Sequence, residues 1–361
     1  MRWAPCSLIS ILHTKGGSVW NGSFCVYSHI FAGNHGYGGG ILKISQSKEY
    51  QYIASKLHHL GETGSVYSGI DGLPKGRASD RIAEGCLVLE GGAFRGIYTS
   101  GVLDALMEAD INLRCTVGVS AGAMNGVNYL SGQIGRSGRI NLRYRHDSRY
   151  VGVEAVKANH GIIGFEFVLD ELGDSFDQER FNQPERRFVA VATNMNTGKA
   201  EFFEKGKCVD IMRAVQASAS MPFASAPVVV DGSPCLDGGC SEGIPLHWAM
   251  EQGYEKIIVV RTRPADYRRE EHKGRTALIS RMFSDHPDFA DSLIASNERY
   301  NRVCDELEQL NAQGRILVIS PSQPVSVHRL EGDMEKLGDL YYMGYHDGQN
   351  KIDAIRTYLE E

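Results

Sequence analysis

Short apolar runs and helical patterns alternate in the middle of the chain. Cys86–Leu89 and Cys115–Val117 are brief and apolar, as expected of buried parallel strands. Between them, the apolar residues of 97–107 fall on one helical face, and 121–130 has a second helical pattern. Parallel strands joined by a helix form a right-handed crossover, so both strands are predicted to end at the same edge of one sheet.

The same alternation continues toward the C-terminus. Strands are predicted over 187–193, 200–203, 256–260 and 316–319, and helices over 211–220, 245–252, 289–310 and from 332 onward. Alternating strands and helices favour a mostly parallel sheet covered by helices on both faces. The predicted fold class is therefore α/β, with three α/β/α layers around a mostly parallel central sheet.

The first 80 residues differ from the rest because they lack a sustained apolar period. Gly33–Gly40 is rich in glycine, which is typical of a loop, and the apolar run Ser7–Leu12 is too short for a signal peptide. Residues 1–80 are predicted to be a weakly ordered N-terminal extension, or sequence contributed by an upstream start codon. The folded domain is predicted over 85–361, with a helical region at its C-terminal end.

Two glycine-rich turns follow the strands of the crossover. In the second turn, Gly118 and Gly122 frame Ser120 in a G-x-S-x-G pattern, which presents a serine on a sharp strand-to-helix bend. The helix that follows points its positive end at this serine. In the first turn, Gly91–Ala93 lacks bulky side chains, so its backbone amides can turn toward a substrate oxygen. Together the two turns indicate a serine acyl hydrolase.

Each turn also has a simpler interpretation. A G-x-S-x-G pattern recurs by chance, and Ser120 could be an ordinary helix N-cap. The turn Gly91–Gly96 could bind a nucleotide, but its spacing is not G-x-G-x-x-G and it lacks a Walker lysine-serine pair. Because both turns occur within one β-α-β unit, the hydrolase is favoured over either alternative.

A serine nucleophile needs a general base, and Asp237 lies in a similar glycine-framed turn. It ends an apolar segment and is followed by Gly238 and Gly239, which keep bulk away from it. The simpler interpretation is an ordinary Asp-Gly turn, which is what Asp231–Gly232 is expected to form. A Ser-Asp-His order is also available from the histidines downstream of Asp237, which are His247, His272, His286, His328 and His346.

These motifs, in this order, resemble those of the patatin-like phospholipase family in its bacterial branch. Further similar stretches are 192–194, 197–198, 217–222 and 227–228, so the resemblance runs from about Gly85 to the C-terminus. It implies a patatin-like catalytic domain in which Ser120 is the nucleophile and Asp237 is the base of a Ser-Asp dyad. The implied oxyanion hole is Gly91, Gly92 and Ala93, and the residues that support the motifs are Arg95, Gly96, Gly118, Gly122, Gly238 and Gly239.

The resemblance implies a serine acyl-ester hydrolase of phospholipase A or lysophospholipase type that works through an acyl-enzyme. A general carboxylesterase or thioesterase and a non-catalytic lipid-binding member are the alternatives. One position departs from the family pattern: Ala93 stands where a third glycine is usual, and alanine tolerates positive φ poorly. The head group, the acyl chain length, the positional preference and the oligomeric state are left open.

Composition sets the remaining expectations. The net charge of −6 argues against non-specific binding of nucleic acid. The sequence lacks an apolar run long enough to span a bilayer, and its cysteines lack metal-ligand spacing, so no cofactor is predicted. Reduced thiols indicate a cytoplasmic protein. Its expected partner is a lipid or acyl-ester substrate, and peripheral contact with a membrane is left open.

Overall fold

The computed structural model describes residues 66–159, 161–168, 176–270 and 274–360. In these ranges the strands are β1 (Gly76–Arg77), β2 (Ala83–Leu89), β3 (Leu113–Val119), β4 (Gln133–Ile134), β5 (Arg187–Asn194), β6 (Ala200–Glu204), β7 (Val228–Val230), β8 (Ser233–Asp237), β9 (Ile257–Val260) and β10 (Leu317–Ile319). The α-helices are α1 (Ile97–Glu108), α2 (Ala121–Ser131), α3 (Arg136–Tyr144), α4 (Val153–Asn159), α5 (Gln178–Phe181), α6 (Ile211–Ser218), α7 (Leu246–Glu251), α8 (Thr276–Met282), α9 (Pro287–Ala312) and α10 (Met334–Glu360). Short 3-10 helices cover Ile70–Gly72, Ala93–Gly96 and Gly238–Cys240.

The central sheet is mixed and mostly parallel. Within the described residues it has eight strands in the order β10-β9-β2-β3-β5-β8-β7, with β6 paired to β5. The pairs from β10 through β5 are parallel, whereas β6, β8 and β7 join through antiparallel pairs. Helices cover both faces, so the predicted three-layer α/β/α fold is confirmed.

Each face of the sheet has its own apolar core because strand side chains alternate. On β2, Leu87 and Leu89 pack into the core under α1, α2 and α10. Cys86 and Val88 point the other way and pack with residues of α7 and α9. All of these positions are fully buried, which explains why the run in the sequence is continuously apolar rather than alternating.

The C-terminal helix α10 packs closely on α1, the first helix of the crossover. A Cβ added to Gly101 would overlap the carbonyl oxygen of Tyr341, and one added to Gly344 would overlap the carbonyl oxygen of Tyr98. Glycine at both positions therefore lets the two backbones approach. None of the helices in the described part of the chain is long and apolar enough to cross a bilayer.

The segment before β2 belongs to the packed unit from Val66 onward. The amide of Tyr67 donates to the carbonyl oxygen of Leu142, Leu73 is buried in the core, and β1 pairs with β4. The boundary predicted near residue 80 thus falls inside a packed segment, and we propose that the domain begins at or before Val66. The predicted loop Gly33–Gly40 lies outside the described residues, as does the rest of 1–65.

Candidate active site

Ser120 lies on the sharp bend between β3 and α2. Its backbone has φ 54° and ψ −121°, a conformation that L-residues rarely adopt. Its amide donates to the hydroxyl oxygen of Ser218 at 2.8 Å, and Ser218 in turn donates to the carbonyl oxygen of Val191 at 2.5 Å. The strained bend is therefore held in place by α6 and β5.

The two glycines of the bend are required by close backbone contacts. A Cβ on Gly118 would lie 2.6 Å from the carbonyl oxygen of Gly122. A Cβ on Gly122 would lie 2.8 Å from the carbonyl oxygen of Glu90, at the end of β2. Substitution at either position would push α2 away from the sheet, so the G-x-S-x-G spacing fixes where the serine stands.

Strand register brings Asp237 to Ser120. On β5, Val191 pairs with Val119, and the next residue, Ala192, pairs with Asp237. Because Ser120 directly follows Val119, the ends of β3 and β8 meet along the same edge of β5. Asp237 is the last residue of β8, and its side chain is directed at the serine.

The hydroxyl of Ser120 donates to Asp237 Oδ2 at 2.7 Å, and the amide of Gly239 donates to Asp237 Oδ1 at 2.8 Å. Both members of the pair are buried, with relative exposures of 7% and 8%. Burial raises the pKa of Asp237, while the hydrogen bonds from Ser120 and Gly239 and the charges of Arg329 and Arg269 act in the opposite direction. The result is a carboxylate with enhanced basicity next to a hydroxyl.

The two glycines after Asp237 have different tasks. A Cβ on Gly238 would overlap the carbonyl oxygen of Val191, so this position must be glycine for β8 to end against β5. At Gly239 the nearest atom to an added Cβ is Asp237 Oδ1 at 3.0 Å. Gly239 therefore matters mainly through its amide, which binds the carboxylate.

Two of the downstream histidines make side-chain contacts with residues other than Asp237. His247 pairs with Glu306 through a 2.7 Å contact, and His346 stacks against Tyr342. His272 lies outside the described residues. Since the described bonds to the Asp237 carboxylate come from a serine hydroxyl and a backbone amide, the geometry is that of a two-residue hydroxyl–carboxylate pair.

The first glycine turn lies beside Ser120. A Cβ on Gly91 would be 3.2 Å from the Ser120 Cβ, and one on Gly92 would be 2.7 Å from the Thr262 hydroxyl oxygen. Ala93 adopts φ 50°, the conformation that the sequence suggested alanine would resist. The Gly91 amide donates weakly to the carbonyl oxygen of Gly243 at 3.4 Å. Among the described residues, the amides of Gly92 and Ala93 have no hydrogen-bond partner.

The rest of this turn fixes the start of α1. A Cβ on Gly96 would lie 2.6 Å from the Ala121 Cβ, so the starts of α1 and α2 pack directly on each other. Asn125 on α2 donates to the carbonyl oxygen of Gly96 at 2.8 Å. The side chain of Arg95 is buried, and its charge interacts with that of Arg263.

A cleft of about 670 Å³, including its open mouth, lies next to Ser120. Ser120, Ala93 and Ala121 line one end of it. Most of the remaining wall is apolar, and its side chains are Phe94, Ile97, Met124, Ile140, Tyr150, Ile163, Val168, Met221 and Leu330. The cleft could hold a hydrocarbon chain with one end at the serine hydroxyl. Among these wall residues, Met221 lies in the 217–222 stretch that the family resemblance had singled out.

Two regions of the chain match known family models. Residues 87–250 match the family model described as patatin-like phospholipase. Residues 286–360, which contain α9 and α10, match a second model described as a domain of unknown function, DUF6363. Ser120, Asp237 and both glycine turns lie within the first of these regions, whereas Leu330 of the cleft wall lies in the second.

Curated relatives agree with the family match. An uncharacterized protein of Escherichia coli, YjjU, is 25% identical over 76% of this chain and 79% of its own length. An uncharacterized NTE family protein of Mycobacterium tuberculosis, Rv1063c, is 30% identical over 48% of this chain and 46% of its own. Lysophospholipase nte1 of Aspergillus niger is 27% identical over 75% of this chain, which spans only 18% of that protein. The chain therefore contains a patatin-like phospholipase domain at residues 87–250.

Proposed function

We propose that this chain is a serine acyl-ester hydrolase acting on lipids, of phospholipase A or lysophospholipase type. The observation that carries the proposal is the 2.7 Å hydrogen bond from the Ser120 hydroxyl to Asp237, beside an apolar cleft that Ser120 lines. The patatin-like phospholipase domain supports ester hydrolysis at this site. The lysophospholipase named among the relatives supports a lipid substrate.

The pair can carry out both halves of the reaction. As the Ser120 oxygen attacks the ester carbonyl carbon, the Asp237 carboxylate accepts the hydroxyl proton. Collapse of the tetrahedral intermediate breaks the bond to the alcohol, which leaves with that proton, and an acyl-serine remains. Asp237 then takes a proton from water, whose oxygen attacks the acyl group. Ser120 leaves and regains the proton. A pKa above the usual aspartate value makes Asp237 a better proton acceptor in both steps.

The negative charge that develops on the carbonyl oxygen needs donors in place before the reaction. The amides of Gly92 and Ala93 are proposed to supply them, because both belong to the turn beside Ser120, Ala93 lines the cleft, and neither amide has another acceptor among the described residues. Gly91 shapes the turn, and its own amide is already directed at Gly243. The positive φ of Ala93 costs about 1 kcal/mol, and this backbone conformation sets the direction of these amides.

Two alternatives remain from the sequence. A carboxylesterase or thioesterase would use the same pair on a different leaving group, and the mainly apolar wall of the cleft favours a long acyl chain over a short one. A non-catalytic lipid-binding protein would also explain the cleft. It would not explain why Ser120 is held at φ 54° against a buried carboxylate.

The nucleophile is tested by labelling. A fluorophosphonate probe should modify Ser120, and Ser120→Ala should abolish both labelling and the hydrolysis of long-chain lysophospholipids measured by mass spectrometry. Ser284→Ala, which changes an exposed serine, is the matched control and should retain both. Labelling of another serine, with activity that survives in Ser120→Ala, would refute the assignment.

The base is tested by a second matched pair. Asp237→Asn should lower kcat by at least about 100-fold, the usual scale for loss of a general base. Asp231→Asn is the control, because Asp231 lies in the exposed Asp-Gly turn just upstream and its positive φ suits asparagine. If one of the downstream histidines proves as costly to replace as Asp237, the site is a triad and this assignment of its class is wrong.

A further inference from the structure

The loop that follows β9 lies against the glycine turn of the active site. The amide of Thr262 donates to Glu90 Oε2 at 2.6 Å, and the Thr262 hydroxyl donates to the carbonyl oxygen of Gly91 at 3.1 Å. Tyr300 donates its hydroxyl to the other Glu90 oxygen at 2.7 Å. These bonds hold Thr262, at the start of the loop 261–270, against the turn.

Two arginines of the loop are held by aromatic rings. The guanidinium of Arg263 lies 4.5 Å from the centre of the Tyr267 ring. The guanidinium of Arg269 lies 3.7 Å from the centre of the Tyr300 ring, and Tyr300 is the residue that binds Glu90. A ring orients a cation without neutralising its charge, so both arginines stay available to an anion.

Two further arginines come from other segments. Arg95 is only 7% exposed, and its Nε has no hydrogen-bond partner in the described part of the chain. The carbonyl oxygen of Arg329 accepts from the Phe94 amide at 3.3 Å, and the adjacent Leu330 lines the cleft. Arg95 thus belongs to the glycine turn itself, and the backbone of Arg329 lies against that turn. We refer to Arg95, Arg263, Arg269 and Arg329 as the arginine cluster.

The charges of the arginine cluster act on one another. Burial, followed by the charges of Arg263 and Arg329, lowers the pKa of Arg95 to about 10. Desolvation by the surrounding protein, followed by the charge of Arg269, lowers the pKa of Arg329. The residue as a whole is nonetheless exposed to solvent. Arginine side chains carry a positive charge at neutral pH. Their mutual repulsion is a cost that an anion between them would relieve.

Two carboxylates that interact with the arginine cluster, Glu90 and Asp237, already hold other donors. Glu90 binds the loop and the Tyr300 hydroxyl, and Asp237 binds the serine and a backbone amide. The loop arginine that does pair with acids is Arg268, which contacts Asp305 and Glu308 away from the site. The arginine cluster thus presents more positive charge to the site than its neighbouring carboxylates offset.

We propose that the arginine cluster binds the phosphate of the substrate, so that the enzyme prefers acyl esters with an anionic phosphate head group over zwitterionic and neutral ones. The proposal rests on the ester hydrolysis proposed above. Guanidinium groups bind phosphate oxygens through paired, charge-assisted hydrogen bonds. A choline or ethanolamine head group would bring an ammonium toward the same cations and be disfavoured. Free phosphate has the same binding chemistry, and the test separates the two sources.

The test compares three lipids with one oleoyl chain in the same detergent micelles: lysophosphatidic acid, lysophosphatidylcholine and monooleoylglycerol. The wild-type kcat/KM should be highest for lysophosphatidic acid. Arg263→Gln and Arg329→Gln should each lower the ratio of kcat/KM for lysophosphatidic acid to that for monooleoylglycerol by about tenfold or more, the scale for loss of a charge-assisted bond. Arg268→Gln, on the same loop, is the matched control and should leave this ratio unchanged.

Binding without turnover distinguishes this proposal from the proposed function. Ser120→Ala protein should bind lysophosphatidic acid more tightly than monooleoylglycerol in a titration, and adding Arg329→Gln should remove the difference. Equal binding of the two lipids, or equal turnover by the wild type, overturns the head-group proposal and leaves ester hydrolysis standing. Competitive inhibition by inorganic phosphate without any lipid preference also overturns it, since the cluster would then serve free phosphate. Absence of hydrolysis of all three lipids, together with preferential binding, overturns the proposed function instead.

Discussion

A buried carboxylate between α1 and α10 makes the stability of this protein depend on pH. Asp104 on α1 is 2% exposed, and it accepts hydrogen bonds from the Tyr341 hydroxyl at 2.6 Å and from the Gly135 amide at 2.7 Å. Burial raises the pKa of Asp104 to about 7 in spite of these bonds. An aspartate in the unfolded chain has a pKa of about 3.9. The folded protein therefore holds the proton more tightly than the unfolded chain does.

The sign and size of the effect follow from linkage. Because the pKa is higher in the folded state, the stabilisation is fully present below pH ~4 and is lost as pH rises to ~7. With one pKa unit equal to about 1.4 kcal/mol, this side chain should lower the free energy of unfolding by about 2–3 kcal/mol between pH 5 and pH 8. Asp104→Asn removes the titration. The asparagine oxygen can accept from Gly135, and its amide can donate to the Tyr341 oxygen.

The assay is chemical denaturation at several pH values. The free energy of unfolding of Asp104→Asn minus that of the wild type should rise by about 2–3 kcal/mol from pH 5 to pH 8. Asp110→Asn, in the exposed turn after α1, is the control and should follow the wild type. The contributions of other titrating groups to the free energy of unfolding cancel in these differences. If the wild type and Asp104→Asn change in parallel between pH 5 and pH 8, Asp104 is not the group that holds the proton, and the reasoning from burial is refuted.

Three further predictions concern the packing of α10, the start of the domain and the charge of the base. Gly344→Ala should destabilise the protein by about 1–3 kcal/mol, the usual cost of overpacking, because its methyl group would meet the α1 backbone; a thermal melt that matches the wild type would contradict this. A chain beginning at Val66 should keep the melting temperature of the full chain, whereas one beginning at Ser79 should melt at a lower temperature because it lacks β1 and Leu73. If the two shortened chains melt at the same temperature, the boundary near residue 80 is restored. In the pH profile of kcat/KM, the midpoint of the acid limb should lie above the ordinary aspartate pKa. It should move to higher pH in Arg329→Gln, because that arginine lowers the pKa of Asp237. A midpoint that stays in place would show that another group limits the rate.

The elements of the crossover could be predicted from sequence because their signals are local. The apolar run at Cys86–Leu89 became the fully buried part of β2, and the two helical patterns became α1 and α2 with boundaries shifted by about one residue. The antiparallel part of the sheet was harder to predict from the sequence. β7 is three residues long, and the Asp231–Gly232 turn that joins it to β8 was recognised as a turn without its strands. Helix α8, at Thr276–Met282, was missed for a similar reason, since it buries only Ile279.

The two halves of the active site differ in how far a sequence can specify them. The bend around Ser120 is marked within five residues, since Gly118 is required by its contact with Gly122 and Gly122 by its contact with the backbone at the end of β2. The position of Asp237 depends on register, since it reaches Ser120 only because β8 continues the edge of β5 at which β3 stops. The sequence showed that a carboxylate was available on a glycine turn, and only the pairing of the strands shows that it lies against the serine.

No rule based on sequence spacing would have predicted the arginine cluster. Its members come from the glycine turn, the loop after β9 and the segment after β10, and each belongs to a stretch with its own plausible surface role. What distinguishes them is shared electrostatics: Arg329 interacts with Asp237 and with Arg95, while Arg268 in the same loop is neutralised by acids of α9. Sequence patterns give the chemistry of a site when that chemistry resides in one turn. Selectivity that arises from side chains converging on that turn has to be derived from the folded chain.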